Sequence, residues 1–423
     1  MPPLRQSDTD ACPGALRLHP AADGLLARVR LPGGVLSGTR LRVLRTLAEE
    51  FGDGRLELTS RANLQLRALK AEDAPLLATR LRQAGLLPST THDHVRNIAA
   101  PPLAGDAIRA LLPRLDEAVC ADPVLARLPG KFLFALGHVP LAADIAAVPL
   151  AVTPRPVPRA VPGPPVRPGE PAGDFALRFG GVDTGLRVDA ERVVEALIAG
   201  AHAFLDEREA QRTGRAAAWR LRELTEGPAR VTARAAGALG VRPVPVAGAV
   251  PVAVVEPAGL LGVLPRAVGV LVPLGRLDGV HAKALEDAER LVVTPWRGVL
   301  VTDLDQDAAE GWADRLAAAG LVTSGGSRWT GVSACAGRPG CAKSLADVRL
   351  DADAATVPAD GLPVHWVGCE RACGSPSGTH VRVEATPAGY AVTRRDGDGT
   401  RLDEVTSPAG SLRETVAAAR RRP

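Results

Sequence analysis

Two stretches of this chain, 25–87 and 267–322, write the same order of elements twice, and a duplication of that kind constrains architecture before any local propensity does. In the first copy, 25–31 (LLARVRL) has strand character and Leu44, Leu47, Ala48 and Phe51 recur at helical spacing. Strand-like 55–60 (RLELTS) and 63–69 (NLQLRAL) follow, then a helical pattern over 75–87 (PLLATRLRQAGLL). The second copy runs 267–274 (AVGVLVPL), a helix through 281–291 (HAKALEDAERL), 291–295 (LVVTP), 298–304 (GVLVTDL) and a helix over 308–322. Thr59-Ser60-Arg61 stands opposite Thr294-Pro295-Trp296-Arg297, and Ala84-Gly85-Leu86-Leu87 opposite Ala319-Gly320-Leu321-Val322. The expectation is an α+β protein of two pseudo-symmetric halves, each built on an antiparallel sheet, with a site that draws residues from both.

Each copy is followed by a segment opening with polar and basic residues, THDHVRNIAAPPLAG after the first and TGVSACAGRPGCAKSLADVR after the second. The expected layout is an N-terminal tail over 1–22, a half-repeat over 23–91 and an α/β domain over 92–250. A second half-repeat over 257–325 and a second domain over 326–423 complete it. Nine prolines between Pro149 and Pro171 mark an extended linker inside the first α/β domain. Beyond it, Asp189 is placed to cap a helix with Val193, Val194, Leu197, Ile198, Ala201, Phe204 and Leu205 on one face.

Composition narrows the function. The 423 residues carry 46% hydrophobic and 23% charged side chains, the balance of a globular protein of several domains. Aromatic residues make up 3% and the net charge is +4, which argues against a stacking nucleic-acid surface and against a membrane as main partner. No run of 18 apolar residues occurs, and MPPLRQSDTDACPG lacks the basic start and apolar core of a signal peptide, so a cytosolic location is expected. In a reducing compartment, clustered cysteines read as a metal site rather than as disulfides.

Four of the six cysteines are clustered: Cys335-x5-Cys341, then Cys369-x3-Cys373. Two short-range pairs on loops containing Gly337, Pro339, Gly340, Gly368, Gly374 and Pro376 suit four thiolates converging on an iron–sulfur cluster, since glycine opens the turns this needs. Structural zinc is the competing reading, against which the five-residue spacer stands. Cys12 and Cys120 are isolated and read as ordinary thiols.

A second signal is basic: Arg28 and Arg30, then Arg61 and Arg67 around Asn63 and Gln65, then Arg96-Asn97 and Lys131. If 61–67 is extended, Arg61, Asn63, Gln65 and Arg67 share one sheet face, a row suited to a ligand with several carboxylates; a solvated face is the plainer reading.

The cysteine pattern, together with TSRANLQ at 59–65, Arg96-Asn97-Ile98, Leu128-Pro129-Gly130-Lys131-Phe132 and the duplicated halves, resembles the nitrite/sulfite reductase superfamily. That resemblance implies a fold of two pseudo-symmetric halves, each with a ferredoxin-like α+β unit and a larger α/β domain. It also implies a 4Fe-4S cluster on Cys335, Cys341, Cys369 and Cys373, and a tetrapyrrole site to which Arg28, Arg30, Arg61, Asn63, Gln65, Arg67, Arg96, Asn97 and Lys131 would contribute, with Lys343 and Arg349 from the other half. In the siroheme enzymes the cysteine matching Cys373 also bridges to the siroheme iron.

Within the superfamily, TSRANLQLRAL, HVRNIAAPPLAG and TPWRG are most similar to the precorrin-3B synthase branch. The reductases carry a second lysine two residues beyond the one matching Lys131; here that position is Leu133. Ala135-Leu136-Gly137-His138 and Arg371 depart from the branch pattern. The branch implies precorrin-3A, O2 and an electron donor, an NADH-linked reductase or a ferredoxin, as partners. It also implies a mononuclear non-haem iron for dioxygen, for which His92 and His94 are the nearest candidate pair and His138 and His365 weaker ones. Siroheme would be a cofactor only if the chain were a nitrite or sulfite reductase.

Overall fold

The computed structural model describes residues 7, 10, 12–150, 175–246, 257–358, 361–376, 378–397, 399–405 and 411–421, so the Pro-rich linker lies, beyond Leu150, outside the described residues. The chain divides into two compact units. One comprises 1–12, 30–33 and 88–254; the other comprises 13–29, 34–87 and 255–423, which holds both half-repeats and all four clustered cysteines.

In the cysteine-bearing unit the first repeat runs β1 (His19–Ala21), β2 (Gly24–Val29), β3 (Val35–Leu36), α1 (Gly38–Phe51), β4 (Leu56–Leu58), β5 (Leu64–Leu69) and α2 (Ala74–Gln83). The other unit carries β6 (Ile98–Ala99), α3 (Asp106–Ala121), β7 (Phe134–Leu136), β8 (Ile145–Pro149), β9 (Phe175–Phe179), β10 (Val182–Val188), α4 (Val193–Ala210) and α5 (Gly227–Leu239). The second repeat follows as β11 (Gly262–Leu264), β12 (Ala267–Leu271), β13 (Arg276–Leu277), α6 (Gly279–Leu285), β14 (Leu291–Val293), β15 (Gly298–Thr302) and α7 (Gln306–Ala318). The chain closes with β16 (Val332–Ala334), α8 (Val348–Ala355), β17 (Val364–Val367), β18 (His380–Thr386), β19 (Gly389–Arg395), β20 (Arg401–Glu404) and α9 (Leu412–Arg420).

The two repeats are interlocked rather than merely adjacent. The first sheet has the order β1-β2-β5-β4-β13 and the second β11-β12-β15-β14-β3, so each takes its fifth strand from the other copy. Leu277 pairs with Leu56, and Leu36 with Leu291. Strands of two residues leave no periodicity to read, which is why β3 and β13 were absent from the sequence pattern. Helix α1 buries Leu44, Leu47, Ala48 and Phe51, the stripe its spacing foretold, and Leu41 with them, while Ser37 caps it by accepting from the Arg40 N–H.

Helix α6 stops at Leu285, six residues short of the expected end. Glu286 is drawn instead to α1, where its carboxylate accepts from Arg42 at 2.9 Å and Arg45 at 2.5 Å. The backbones meet there: the Gly38 N–H donates to the Ala288 carbonyl, and a Cβ at Gly38 would lie 2.2 Å from the Glu286 oxygen.

The duplication continues past the half-repeats. In one sheet β6, β7 and β8 run parallel, with β9 and β10 antiparallel beyond them; in the other β16, β17 and β18 run parallel, with β19 and β20 antiparallel beyond them. Helices α3 and α8 make the corresponding crossovers that parallel pairing requires. Aromatic pairs lie in these cores: Phe132 meets Phe134 edge-on at 5.1 Å and Phe204 at a tilt, and Trp366 meets Tyr390 edge-on at 5.5 Å. Asp189 precedes a short 3-10 turn at 190–192 rather than α4 itself, and Val194 and Ile198 are only half-buried while Val193, Leu197, Ala201, Phe204 and Leu205 are core.

Candidate functional site

Parallel pairing of β16 with β17 places Ala334 beside Trp366, so the first cysteine of each pair leaves the same edge of the same sheet. Cys335 extends the ladder by donating its N–H to the Trp366 carbonyl at 2.9 Å, while Cys369 follows one residue after Gly368. The loops then lock together, Leu345 N–H donating to the Gly368 carbonyl at 2.8 Å and Arg338 N–H to the Ala346 carbonyl at 2.9 Å. Glycine at 368 is obligatory, because a Cβ there would stand 1.8 Å from the Ser344 hydroxyl. This is how a spacing of 27 residues in sequence becomes a single neighbourhood.

All six cysteines have free thiols; Cys335, Cys341 and Cys369 are half-buried and Cys373 is exposed. The Cys335 sulfur accepts from the Gly368 N–H at 3.3 Å. Burial pushes its pKa up, backbone N–H groups of Gly368 and Gly337 oppose that rise, and Cys373 is close enough to add to it. A sulfur surrounded by backbone N–H donors is what cluster ligation calls for. The donor type is the one a four-thiolate cluster needs, and the two cysteine loops leave neighbouring strands. As the side chains stand, however, no three His, Cys, Asp or Glu groups among the described residues are gathered as a metal-binding set.

Cationic and polar side chains brace these loops. Arg67 grips Asp23 through both arms at 2.9 Å and donates to the Gly340 carbonyl at 2.6 Å. Arg349 donates to the Cys335 carbonyl at 3.1 Å and pairs with Glu57. Glu57, buried in β4, also has Arg67 and Arg276 at 3.8 Å. Burial alone would raise its pKa, but the Arg349, Arg67 and Arg276 guanidiniums hold it below the ordinary carboxylate range. His365 is fully buried; one ring nitrogen lies 3.0 Å from the Cys373 carbonyl and the other 2.8 Å from the Ser333 hydroxyl. Burial, reinforced by Arg297, pushes its pKa down to about 3, so it is neutral. The Arg297 guanidinium itself lies against Gly374. Glu57 and Ser333 were not among the candidates the sequence offered, and Arg297 entered there only through the TPWR string that stands opposite Thr59-Ser60-Arg61.

The basic residues singled out from sequence divide between the units: Arg28, Arg61, Asn63, Gln65 and Arg67 lie in the cysteine-bearing one, Arg30, Arg96, Asn97 and Lys131 in the other. The extended row over 61–67 does not form. Residues 59–63 make a turn in which the Thr59 hydroxyl accepts from the Asn63 N–H and Ala62 takes φ of 57°, and β5 begins only at Leu64. The second copy repeats it, with Thr294 accepting from Gly298 N–H and Arg297 at φ 62°. The equivalent of Arg61 is therefore Trp296. Arg28 donates to Gln65 across the β2–β5 pair, at 3.0 and 2.5 Å.

In the other unit, buried Arg30 donates to Asn97, whose amide donates in turn to the His94 and Gly130 carbonyls. Arg96 forms a two-armed pair with Asp116 at 2.7 and 2.6 Å. Lys131 sits over the Trp219 ring at 4.8 Å, and its N–H donates to Asp10. His92 is buried with both nitrogens engaged, Nε2 donating to the Asp122 carbonyl and Nδ1 facing Ser89 and Thr91, which leaves it no lone pair for iron. Lys343 is exposed.

With this geometry in hand, likenesses to known proteins fall into place. Residues 19–84 match the model of the nitrite/sulfite reductase ferredoxin-like half domain. A precorrin-3B synthase from Sinorhizobium sp is 25% identical over 404 residues, spanning 90% of this chain and 82% of that protein. A ferredoxin–nitrite reductase from Leptolyngbya laminosa is 36% identical over 131 residues, 28% of this chain and 26% of its own length, and the one from Synechococcus elongatus is matched over 24% of its length. The chain thus covers about a quarter of these nitrite reductases. Among solved structures, the NirA protein of Mycobacterium tuberculosis superposes with a TM-score of 0.68 at 20% identity, covering 90% of this chain and 77% of that one.

Proposed function

We propose that this chain, which has the nitrite/sulfite reductase fold and resembles a precorrin-3B synthase along nine-tenths of its length, is an iron–sulfur oxidoreductase of the precorrin-3B synthase type. The reaction would take precorrin-3A, dioxygen and reducing equivalents to the C20-hydroxylated γ-lactone, as a monooxygenase. The observation that carries this reading is the near-complete span of the synthase likeness, against likenesses to nitrite reductases confined to about a quarter of their length.

The residues support it in three ways. Cys335, Cys341, Cys369 and Cys373 would hold a 4Fe-4S cluster, which supplies electrons singly when bound. Arg67, Arg349 and His365 hold the carbonyls of the loops that carry them, so the thiols are presented from a braced frame. Arg61, on the β4–β5 turn of the same unit, with Arg28 and Gln65 on the adjoining strands, is offered as a contact for the carboxylates of a macrocycle. Leu133 is buried and its N–H is held by Asp144, so nothing there replaces the second lysine that a small-anion reductase carries.

A siroheme-dependent reductase is the second reading, favoured by the half-domain match at 19–84. An aerobic assay with precorrin-3A and a reductant, followed by mass for the lactone, tests the proposal. Lactone formation by protein whose spectrum has only the broad iron–sulfur shoulder supports it; sharp bands of bound siroheme and reduction of nitrite or sulfite overturn it.

A further inference from the structure

We infer that His365 is a positioning residue for Cys373, fixing the backbone of the Cys369–Cys373 loop from inside the sheet with Ser333 holding the far side of its ring. The inference rests on the reading of Cys373 as a cluster ligand only for its consequence; the lock itself is a property of the polypeptide.

The loop needs such a support. Ala372, immediately before Cys373, takes φ of 44°, and Gly374, immediately after, φ of 85°. A non-glycine residue in the left-handed region costs on the order of 1–2 kcal/mol, so the surroundings must hold Ala372 there. Local bonds contribute: Ala372 N–H donates to the Cys369 carbonyl at 3.1 Å and the Ser375 hydroxyl to the Ala372 carbonyl at 2.9 Å. None of these holds the Cys373 carbonyl, whereas His365 Nε2 lies 3.0 Å from it.

The direction of each bond follows from chemistry. A carbonyl oxygen only accepts, so Nε2 carries the proton; Nδ1 is then bare and accepts from the Ser333 hydroxyl at 2.8 Å. The two residues are directly opposite in the parallel β16–β17 register, so the ring is aimed by the sheet rather than by the loop it supports. His365 is fully buried while Cys373 is exposed. An interior anchor thereby holds a surface thiol, and the freedom removed is that of the cysteine whose presentation decides how a cluster meets its neighbours.

The test uses the full chain and has a readout that needs no cluster. Amide hydrogen exchange across 369–376 in the metal-free protein should be five- to tenfold faster in His365→Leu than in wild type, the loss expected for one buried hydrogen bond. His365→Gln, whose amide can donate to the same carbonyl, should restore most of the protection. Ser333→Ala, which frees the ring to turn, should fall between and keeps the assay available where the leucine variant does not fold. After reconstitution with iron and sulfide, the reduced His365→Leu protein should give a broadened or displaced electron paramagnetic resonance signal, and His365→Gln the wild-type one. Loop exchange unchanged in both His365→Leu and Ser333→Ala overturns the inference; failure of wild type to take up iron overturns the cluster reading and leaves the exchange result standing.

Discussion

At the scale of single residues, the structure shows which cations are committed to the protein's own frame. Arg67 is committed three ways, to Asp23, to Glu57 and to the Gly340 carbonyl, with its side chain 6% exposed. Removing one member of such a buried network leaves charges unpaired, so Arg67→Ala is expected to lose about 3 kcal/mol of stability, read as a lowered urea midpoint. Arg61→Ala should change stability by less than about 1 kcal/mol and instead weaken tetrapyrrole binding in a titration; equal affinity would remove Arg61 from the site. Cys341→Ser should abolish iron binding and activity, whereas Cys120→Ser should leave both intact. Cys120 lies in the other unit, its thiol pushed up by burial and by Asp116. Glu57 sets a pH dependence. Its folded pKa is depressed, so its contribution is full above the unfolded value of about 4.3 and is lost as pH falls through the folded one. The stability gap between wild type and Glu57→Gln, followed by urea unfolding, should accordingly be constant from pH 8 to 6 and shrink below about pH 4.

At the scale of elements, the exchange of β3 and β13 ties each half-repeat's sheet to the other copy. One tight point is the start of α1, where Gly38 touches the end of α6. Gly38→Ala would force a Cβ into the Glu286 carbonyl 2.2 Å away, and the backbone must part there. A loss of about 2 kcal/mol is expected, with both repeats melting in a single transition by circular dichroism. Two independent transitions would show that strand exchange does not couple them. Most of these elements were readable: the helical stripe of α1 and the paired β4–β5 and β14–β15 strands follow from apolar spacing. The two-residue strands and the early end of α6 did not, since each depends on a partner far away in sequence.

At the scale of the whole molecule, the duplication reaches further than its sequence trace. The half-repeats align by residue type, but the sheets of β6–β10 and β16–β20 share only topology, three parallel strands followed by two antiparallel ones. Divergent side chains can keep such a topology because strand pairing is made by backbone groups. The two sheets have gone separate ways in what their loops carry: the one that follows the second repeat bears four cysteines, while its counterpart bears Arg96, Asn97 and Lys131. Purified protein prepared without oxygen should therefore bind iron and sulfide in proportion to its cysteine quartet, and the Cys369→Ser variant should bind neither, as measured by metal analysis.

What the amino-acid sequence determined by itself was the duplicated α+β plan, the pairing of the cysteines on glycine-rich loops and the branch of resemblance, because these are written in local spacing and residue type. What only the tertiary structure decided was the use of each polar side chain. Arg67 meets Gly340 across 273 positions and Arg349 meets Glu57 across 292, and the face expected over 61–67 is broken by a turn at Ala62. A charge has no period along the chain, so its partner is fixed by where the backbone brings distant loops together.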